Sequence, residues 1–399
     1  MQRQKKDWKK EIILSKMRLS NTLDQWIANI SQTDMFLIMR NTYVSLTIWI
    51  VGISLVYVVS SPCNVLFLKE CILYVLSYHS ILFSAVFACA YARQKQMDVL
   101  LCLIVGCVCS VLMTGRFSAT LWMSIPDMVI ISGLLKIVQV LEKQKAEWKH
   151  IPPAVSQYLV KLLVPVTVFV MLGLLTLIPD TVMTAMTVPL QVLVYTLSTL
   201  PSILIIIGLT CYFWIKGIHG VSILGSILRP FWTQMLLMNL YAVLTKNEIM
   251  YIGSEAFYQW FVWIGGSGAT FGLCIVCYLF GKSKQMQALK ANVLSSAVFN
   301  INEEVIFGMP IVENRYLKIP FFAVSMISGC VAWVLMRTGY ISVPHVLAPW
   351  IAPFFIGSML TSGISLRVLI VSVGLVLFSA LCYLPFFLWY DARLLKEEK

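Results

Sequence analysis

Charge is scarce in this sequence. Of its 399 residues 12% are charged and 59% are hydrophobic, with a mean hydropathy of +0.84. Soluble domains carry about twice that share of charge, so a water-soluble enzyme is excluded and a polytopic membrane protein is indicated. No polar stretch is long enough to fold alone, and no soluble domain is expected. A cleavable leader is missing too: MQRQKKDWKKEIILSKMRLS at the N-terminus is basic and lacks a short apolar core followed by small residues. Eleven cysteines are scattered, mostly inside apolar runs such as Cys102–Cys109, and none forms a CxxC pair backed by histidine at ligand spacing. They read as small hydrophobes, with no metal site and no cofactor expected. The net charge of +12 does not indicate nucleic acid, because Lys and Arg sit in short connections, as in a protein oriented by cytoplasmic positive charge.

What is present is a succession of apolar runs. Residues 1–39 place Trp8, Ile12, Leu19, Leu23, Trp26, Ile27 and Ile30 at helical spacing among seven Lys and Arg. This suits an amphipathic helix on the cytoplasmic membrane face, with a solvated tail as the plainer alternative. Runs long enough to span follow at Tyr43–Ser60, Cys71–Tyr91, Val99–Met113, Ala119–Leu141, Val155–Leu177 and Thr187–Trp214. Further runs lie at Phe257–Phe280, Phe321–Met336 and Arg367–Trp389. The connections Arg93–Lys95, Lys143–Lys149 and Lys282–Lys290 are basic, whereas Ser61–Asn64 and Ile178–Asp180 are not. That alternation gives roughly ten crossings with both termini cytoplasmic, and it sets Lys246–Glu255 outside.

The chain is organised around Asn292–Pro320, where Asn300, Asn302, Glu303 and Glu304 interrupt an apolar segment. An ionised side chain in hydrocarbon must be hydrated, paired or bound to a ligand. Gly308 and Pro310 oppose one straight helix, so a broken helix or re-entrant hairpin lining a polar cavity fits better than a cytoplasmic loop, the alternative. His219, between Gly217–Ile218 and Gly220, stands where another apolar run breaks; alone, such a histidine is more often a packing residue than a ligand. Trp214 and Trp350 suit either a ring-stacking site or an interfacial belt. Asn302 offers an amide donor and acceptor, or a helix cap. Gly265, Gly266 and Gly268 are read as permitting close backbone or helix approach.

Phe299–Pro310, FNINEEVIFGMP, resembles the FNINEP-(V/I)-IFG-(L/M)-P signature of the membrane subunit, enzyme IIC, of the lactose/cellobiose/diacetylchitobiose class of the bacterial sugar phosphotransferase system. Phe261–Gly272, FVWIGGSGATFG, is similar to that family's FVxIGGSGATLG, and Phe213–Gly220, FWIKGIHG, to its FWxxGIHG. Weaker similarity runs from about Arg40 to the C-terminus.

The resemblance implies an all-α polytopic membrane protein, with broken or re-entrant segments at Gly217–Pro230 and Ser295–Pro310. It implies a cytoplasmic segment 1–39, a dimerisation part 40–180, a substrate-binding transport part 181–390 and a cytoplasmic tail 391–399, in a homodimer in the bacterial cell membrane. The implied function is import of a β-linked disaccharide or related oligosaccharide, coupled to phosphorylation by a separate phosphocysteine subunit IIB, itself charged through IIA and the general phosphotransferase proteins. His219 and Glu303 are the implied catalytic pair at the sugar 6-hydroxyl, with Asn302, Trp214, Gly217 and Trp350 beside them in substrate binding. No phosphoryl donor is expected in the chain itself. Three departures stand out: Glu304 replaces the family proline, Lys216 replaces an aromatic, and Arg315 replaces a proline after Asn314. Glu304 is expected to face water or a cation. Because of Glu304 and Lys216, a diverged member that no longer supports phosphorylation, acting as sensor, facilitator or exporter, is the alternative.

Overall fold

The structure is a computed structural model that describes residues 33–63, 65–116, 122, 124–144, 152–177, 179–309, 311–312 and 314–398. Among these every regular element is helical. The amphipathic helix read over 1–39 lies outside the described residues, save that residues 34–39 already belong to the first helix.

The N-terminal helices are α1 (Asp34–Cys63), α2 (Leu66–Ser77), α3 (His79–Lys95), α4 (Val99–Arg116), α5 (Ser124–Gln144) and α6 (Pro153–Thr176). α3 sits at their centre, packed against α1, α4 and α5. Small residues let it do so: a Cβ at Gly106 of α4 would lie 2.9 Å from both Ala88 Cβ and the Ser84 carbonyl. The apolar run Cys71–Tyr91 is not one rod. α2 and α3 meet at Tyr78 with a bend of 52°. A bend frees backbone carbonyls that must find donors, and the buried His79 ring donates through Nδ1 to the Leu76 carbonyl at 2.6 Å.

α7 (Asp180–Leu197) and α8 (Leu200–Ile215) likewise divide the run Thr187–Trp214, with a 71° elbow at Ser198–Thr199. Pro201, in the first turn of α8, needs no amide partner there. The elbow is pinned from outside: Ser198 Oγ accepts from the amides of Ile252 (2.7 Å) and Gly253 (3.3 Å), and Trp333 Nε1 donates to the Ser198 carbonyl at 3.2 Å.

Next come α9 (Gly220–Leu244), the short α10 (Glu255–Phe257) with a π-helical turn Tyr258–Val262, α11 (Phe271–Phe280), α12 (Lys284–Val298) and α13 (Glu303–Gly308). α14 (Lys318–Arg337), α15 (Phe354–Ser362) and α16 (Leu366–Glu397) complete the chain. α11 lies along α16 so closely that a Cβ at Gly272 would meet the Ala380 amide nitrogen at 2.3 Å. The buried Asp391 carboxylate of α16 accepts from the amides of Lys282 (2.9 Å) and Ser283 (3.1 Å) at the entry to α12.

Two expected breaks take particular forms. The interruption at Gly217–Pro230 is confined to residues 216–219, where Gly217 has φ +76°; α9 then runs on through Pro230. Around residues 299–302, between α12 and α13, Asn300 adopts φ +58°. The run Phe257–Phe280 holds a further interruption, the turns of residues 263–270. Among the described residues four helices are long and apolar enough to cross a membrane, and up to six if each bent pair counts as one span; Val99–Thr114, Pro165–Leu174 and Phe271–Phe280 are shorter apolar helices. Large apolar side chains such as Phe67, Ile205 and Leu381 lie more than half exposed, the outward face that hydrocarbon requires.

Candidate functional site

Three interruptions converge: the turn before α9, the turns of residues 263–270, and the step between α12 and α13. Between them lies a cavity of about 200 Å³ lined by Trp214, His219, Asn302, Glu303 and Trp350, together with residues from α9, α10 and the turns. Of the six site residues expected from the sequence, five line this cavity. Gly217 does not: it makes the left-handed turn that lets α8 stop and His219 begin α9, and a Cβ there would meet Val312, 3.7 Å away.

His219 is the N-cap of α9. The first amides of a helix lack partners within it, and here His219 Nδ1 accepts from the Ser222 amide at 3.1 Å, with Ser222 Oγ 2.9 Å away. A backbone N–H can only donate, so Nδ1 is the acceptor and the neutral ring carries its proton on Nε2. That Nε2 faces Glu303 Oε1 at 3.8 Å, too far for a direct hydrogen bond, and the two atoms can both be reached by one hydroxyl oxygen seated to the side of the line joining them. Trp214, buried, packs its ring 4.4 Å from the imidazole at a tilt of 48°. Trp350 stands on the open side, 61% exposed.

Glu303 and Glu304 are adjacent in the first turn of α13, and both are exposed. Their surroundings differ. Glu303 faces the cavity, whereas Glu304 accepts from Ser296 Oγ at 3.1 Å and is absent from the cavity wall. Asn302 occupies the N-cap position of α13 without its side chain capping the helix. Its Nδ2 donates instead to the Ser267 carbonyl at 2.7 Å, with Thr270 Oγ1 at 3.4 Å. Asn300 Oδ1 accepts from the Gly265 amide at 2.7 Å. The two asparagines therefore bolt the segment bearing Glu303 to the turns of residues 263–270. Those glycines serve the turns rather than a helix–helix crossing: Gly266 has φ +100°, and a Cβ there would lie 2.2 Å from Asn302 Cγ.

Sequence reasoning missed Arg229, Glu255, Gln259 and Trp263, which also line the cavity. The sequence reading sets Glu255 at the end of the external connection Lys246–Glu255 and gives Arg229 no role. The structure instead pairs Arg229 Nε with Glu255 Oε1 at 3.1 Å inside the wall, each side chain about one quarter exposed or less. The signal was available: both charges lie within or beside apolar segments, the same argument that singled out Glu303.

Fold and site together define a multi-pass helical membrane protein that holds a polar, tryptophan-flanked cavity between broken helices. The family described as "Phosphotransferase system, EIIC" matches residues 35–325, and the chain belongs to that family. It is 36% identical over 187 residues to the lichenan permease IIC component of Bacillus subtilis (strain 168), covering 46% of this chain and 41% of that one. Against the cellobiose-specific EIIC component of Geobacillus stearothermophilus it is 30% identical over 190 residues, covering 47% and 42%. These matches thus span less than half of each relative. The fold is that of the crystal structure of the transporter ChbC, the IIC component of the N,N'-diacetylchitobiose-specific phosphotransferase system. The TM-score is 0.83 at 22% identity, covering 95% of this chain and 99% of that one.

Proposed function

We propose that this protein is a phosphotransferase-system permease that imports a β-linked disaccharide or related oligosaccharide while a separate IIB subunit phosphorylates it. The observation that carries the reading is the 3.8 Å gap between His219 Nε2 and Glu303 Oε1. A sugar hydroxyl seated against both atoms, to one side of the line joining them, accepts from Nε2–H and donates to the carboxylate. Trp214 and Trp350 supply flat apolar surface for the sugar ring, the usual complement to hydroxyl contacts. In the transfer step the hydroxyl oxygen attacks phosphorus on the partner's phosphocysteine. The O–P bond forms as the S–P bond breaks, the thiolate leaves, and the hydroxyl proton passes to Glu303, which lies within reach as a general base. Asn302 acts by holding Glu303 in place through the Ser267 carbonyl.

The partner's phosphocysteine, its recharging through IIA, and a homodimer built on residues 40–180 with 181–390 as the transport part belong to the same proposal. Membranes containing the protein, supplied with phosphoenolpyruvate and the soluble phosphotransferase proteins, should phosphorylate cellobiose, lactose or diacetylchitobiose. Binding of one of these without any phosphorylation would refute the coupling.

Orientation follows from charge. Cytoplasmic loops collect Lys and Arg, so residues near Lys284 face the cytoplasm and those near Asn247 face outward, with both termini inside. In a background whose native cysteines are replaced, an impermeant thiol reagent on intact cells should label a cysteine at 247 and spare one at 284. The reverse pattern would invert the topology.

A further inference from the structure

α16 has 32 residues, about 48 Å at 1.5 Å per residue, against a hydrocarbon core of about 30 Å. Its last turns therefore stand clear of the membrane. They do so beside Lys282 and Lys284, whose amides bond to Asp391 (2.9 Å) and Glu398 (2.8 Å), on the side that charge makes cytoplasmic. Between these turns and the segment leading into α14 lies a second cleft, of about 480 Å³. Val312, Asn314, Arg315, Tyr316, Arg393 and Glu397 are among its walls. The segment is shaped by its own sequence: Asn314 Oδ1 accepts from the amides of Tyr316 (2.8 Å) and Leu317 (3.2 Å), an Asx turn. Arg315 Nη2 donates to the Tyr316 hydroxyl at 3.1 Å, and the Tyr316 ring packs 6.4 Å from that of Tyr390 on α16. Arg393 reaches the same phenol from α16. Arg315 first, through its hydrogen bond, and then Arg393 hold the Tyr316 hydroxyl below the ordinary pKa of tyrosine.

What remains to meet a ligand is chiefly donors. Tyr316, accepting from Arg315, turns its own O–H away, and Asn314 keeps Nδ2 after its oxygen is engaged. Arg393 gives its Nε edge to Glu397 at 2.8 Å and retains its outer nitrogens. Glu397 is the one acid among the described lining residues, and that bond engages it. Two cations turned toward one neutral hydroxyl repel each other, and an anion between them reverses the sign of the interaction. Arg315 is also a position where this sequence departs from the family pattern, so the second guanidinium is this chain's own. Val312 ties the cleft to the sugar cavity: it lines the cleft, and a Cβ at Gly217, in the turn before His219, would meet its side chain at 3.7 Å.

We infer that Arg315, Tyr316 and Arg393 bind a phosphate monoester, the 6-phosphate of the sugar that leaves the permease. The identity of the product rests on the function proposed above; the phosphate site does not. A monoester carries nearly two negative charges on three acceptor oxygens and suits two guanidinium forks. A lipid phosphodiester has the same chemistry with one charge fewer, and the free sugar has none. The cleft thus takes hold of the sugar only after phosphoryl transfer.

The test is calorimetric titration of the purified full chain in detergent with glucose 6-phosphate, compared with inorganic phosphate, glucose and dihexanoyl phosphatidylglycerol. Wild type should bind glucose 6-phosphate more tightly than any of the other three. The double variant Arg315→Gln/Arg393→Gln should lose about tenfold or more of that affinity, the worth of at least one charge-assisted hydrogen bond. Glu303→Gln, altered in the sugar cavity instead, should change it less than about twofold. Melting temperature monitors folding. A double variant that melts like wild type and binds glucose 6-phosphate as tightly overturns the site, as does wild type that binds none. A loss that follows Glu303→Gln puts the phosphosugar in the sugar cavity and overturns the cleft as its site. If phosphatidylglycerol binds more tightly than glucose 6-phosphate, and the double variant loses it, the cleft holds lipid headgroups and the product assignment falls. Failure of the permease reading has a separate readout: membranes that phosphorylate no sugar, from protein that still binds glucose 6-phosphate through Arg315 and Arg393, would overturn the product and leave the phosphate site standing.

Discussion

Glu303→Gln should reduce sugar affinity roughly ten- to a hundredfold, because a charge-assisted hydrogen bond is worth about 1.5–3 kcal/mol and glutamine retains only part of it. Coupled phosphorylation should fall further, by about a hundredfold or more beyond the binding loss, since the variant also lacks a base for the hydroxyl proton. Glu304→Gln is the matched control. Glu304 is exposed and hydrogen-bonded to Ser296 outside the cavity wall, so titration and phosphorylation should both stay within about twofold of wild type, in line with the small effect of most solvent-facing substitutions. Glu304→Pro, which restores the family residue, should bind as well. If Glu304→Gln proves the more damaging of the two glutamine variants, the acid at work is the neighbour, and the hydroxyl bridge from His219 is wrong.

The second large effect is expected at Gly266, a residue with no side chain to lose. Its φ of +100° is one that L side chains rarely adopt, and an added Cβ would collide with Asn302 Cγ at 2.2 Å. Strain and overpacking each cost about 1–3 kcal/mol. Relief requires Asn302 to leave the Ser267 carbonyl, a bond that positions Glu303 one residue further on. Gly266→Ala should therefore lower the melting temperature in detergent and abolish measurable sugar binding. Gly374→Ala, where a Cβ has open space within 4 Å, should do neither. Normal binding by Gly266→Ala would show that the turns of residues 263–270 do not set the position of α13.

Polar residues embedded in apolar sequence were the legible part of this site. His219, Asn302 and Glu303 stood out because hydrocarbon gives them no partner, and the structure gathers them around one cavity with Trp214 and Trp350. Arg229 and Glu255 stand out on the same physics. Glu255 was passed over because the alternation of basic connections sets Lys246–Glu255 outside, and Arg229 because no motif singles it out. The bends at Tyr78 and Ser198 were not legible: an unbroken apolar run reads the same whether the backbone goes straight or turns. What holds the turn differs: at Tyr78 it is the ring of the next residue, His79, on the Leu76 carbonyl, and at Ser198 it is the distant amides of Ile252 and Gly253. Pro230 misled in the opposite sense, since α9 carries it without interruption. The glycines of GGSG were read as permitting close backbone or helix approach, and the approach is there, Gly266 against Asn302; that their positive φ values also make turns is a distinction that spacing alone does not contain.

The pinned elbow at Ser198 also constrains how such a machine can move. Its hydroxyl and carbonyl are held by Ile252, Gly253 and Trp333, so the joint that looks most like a hinge is a clasped corner. With the corner clasped, bending along this stretch is easier within α7 itself, whose Pro189 leaves one amide out of the hydrogen-bond ladder.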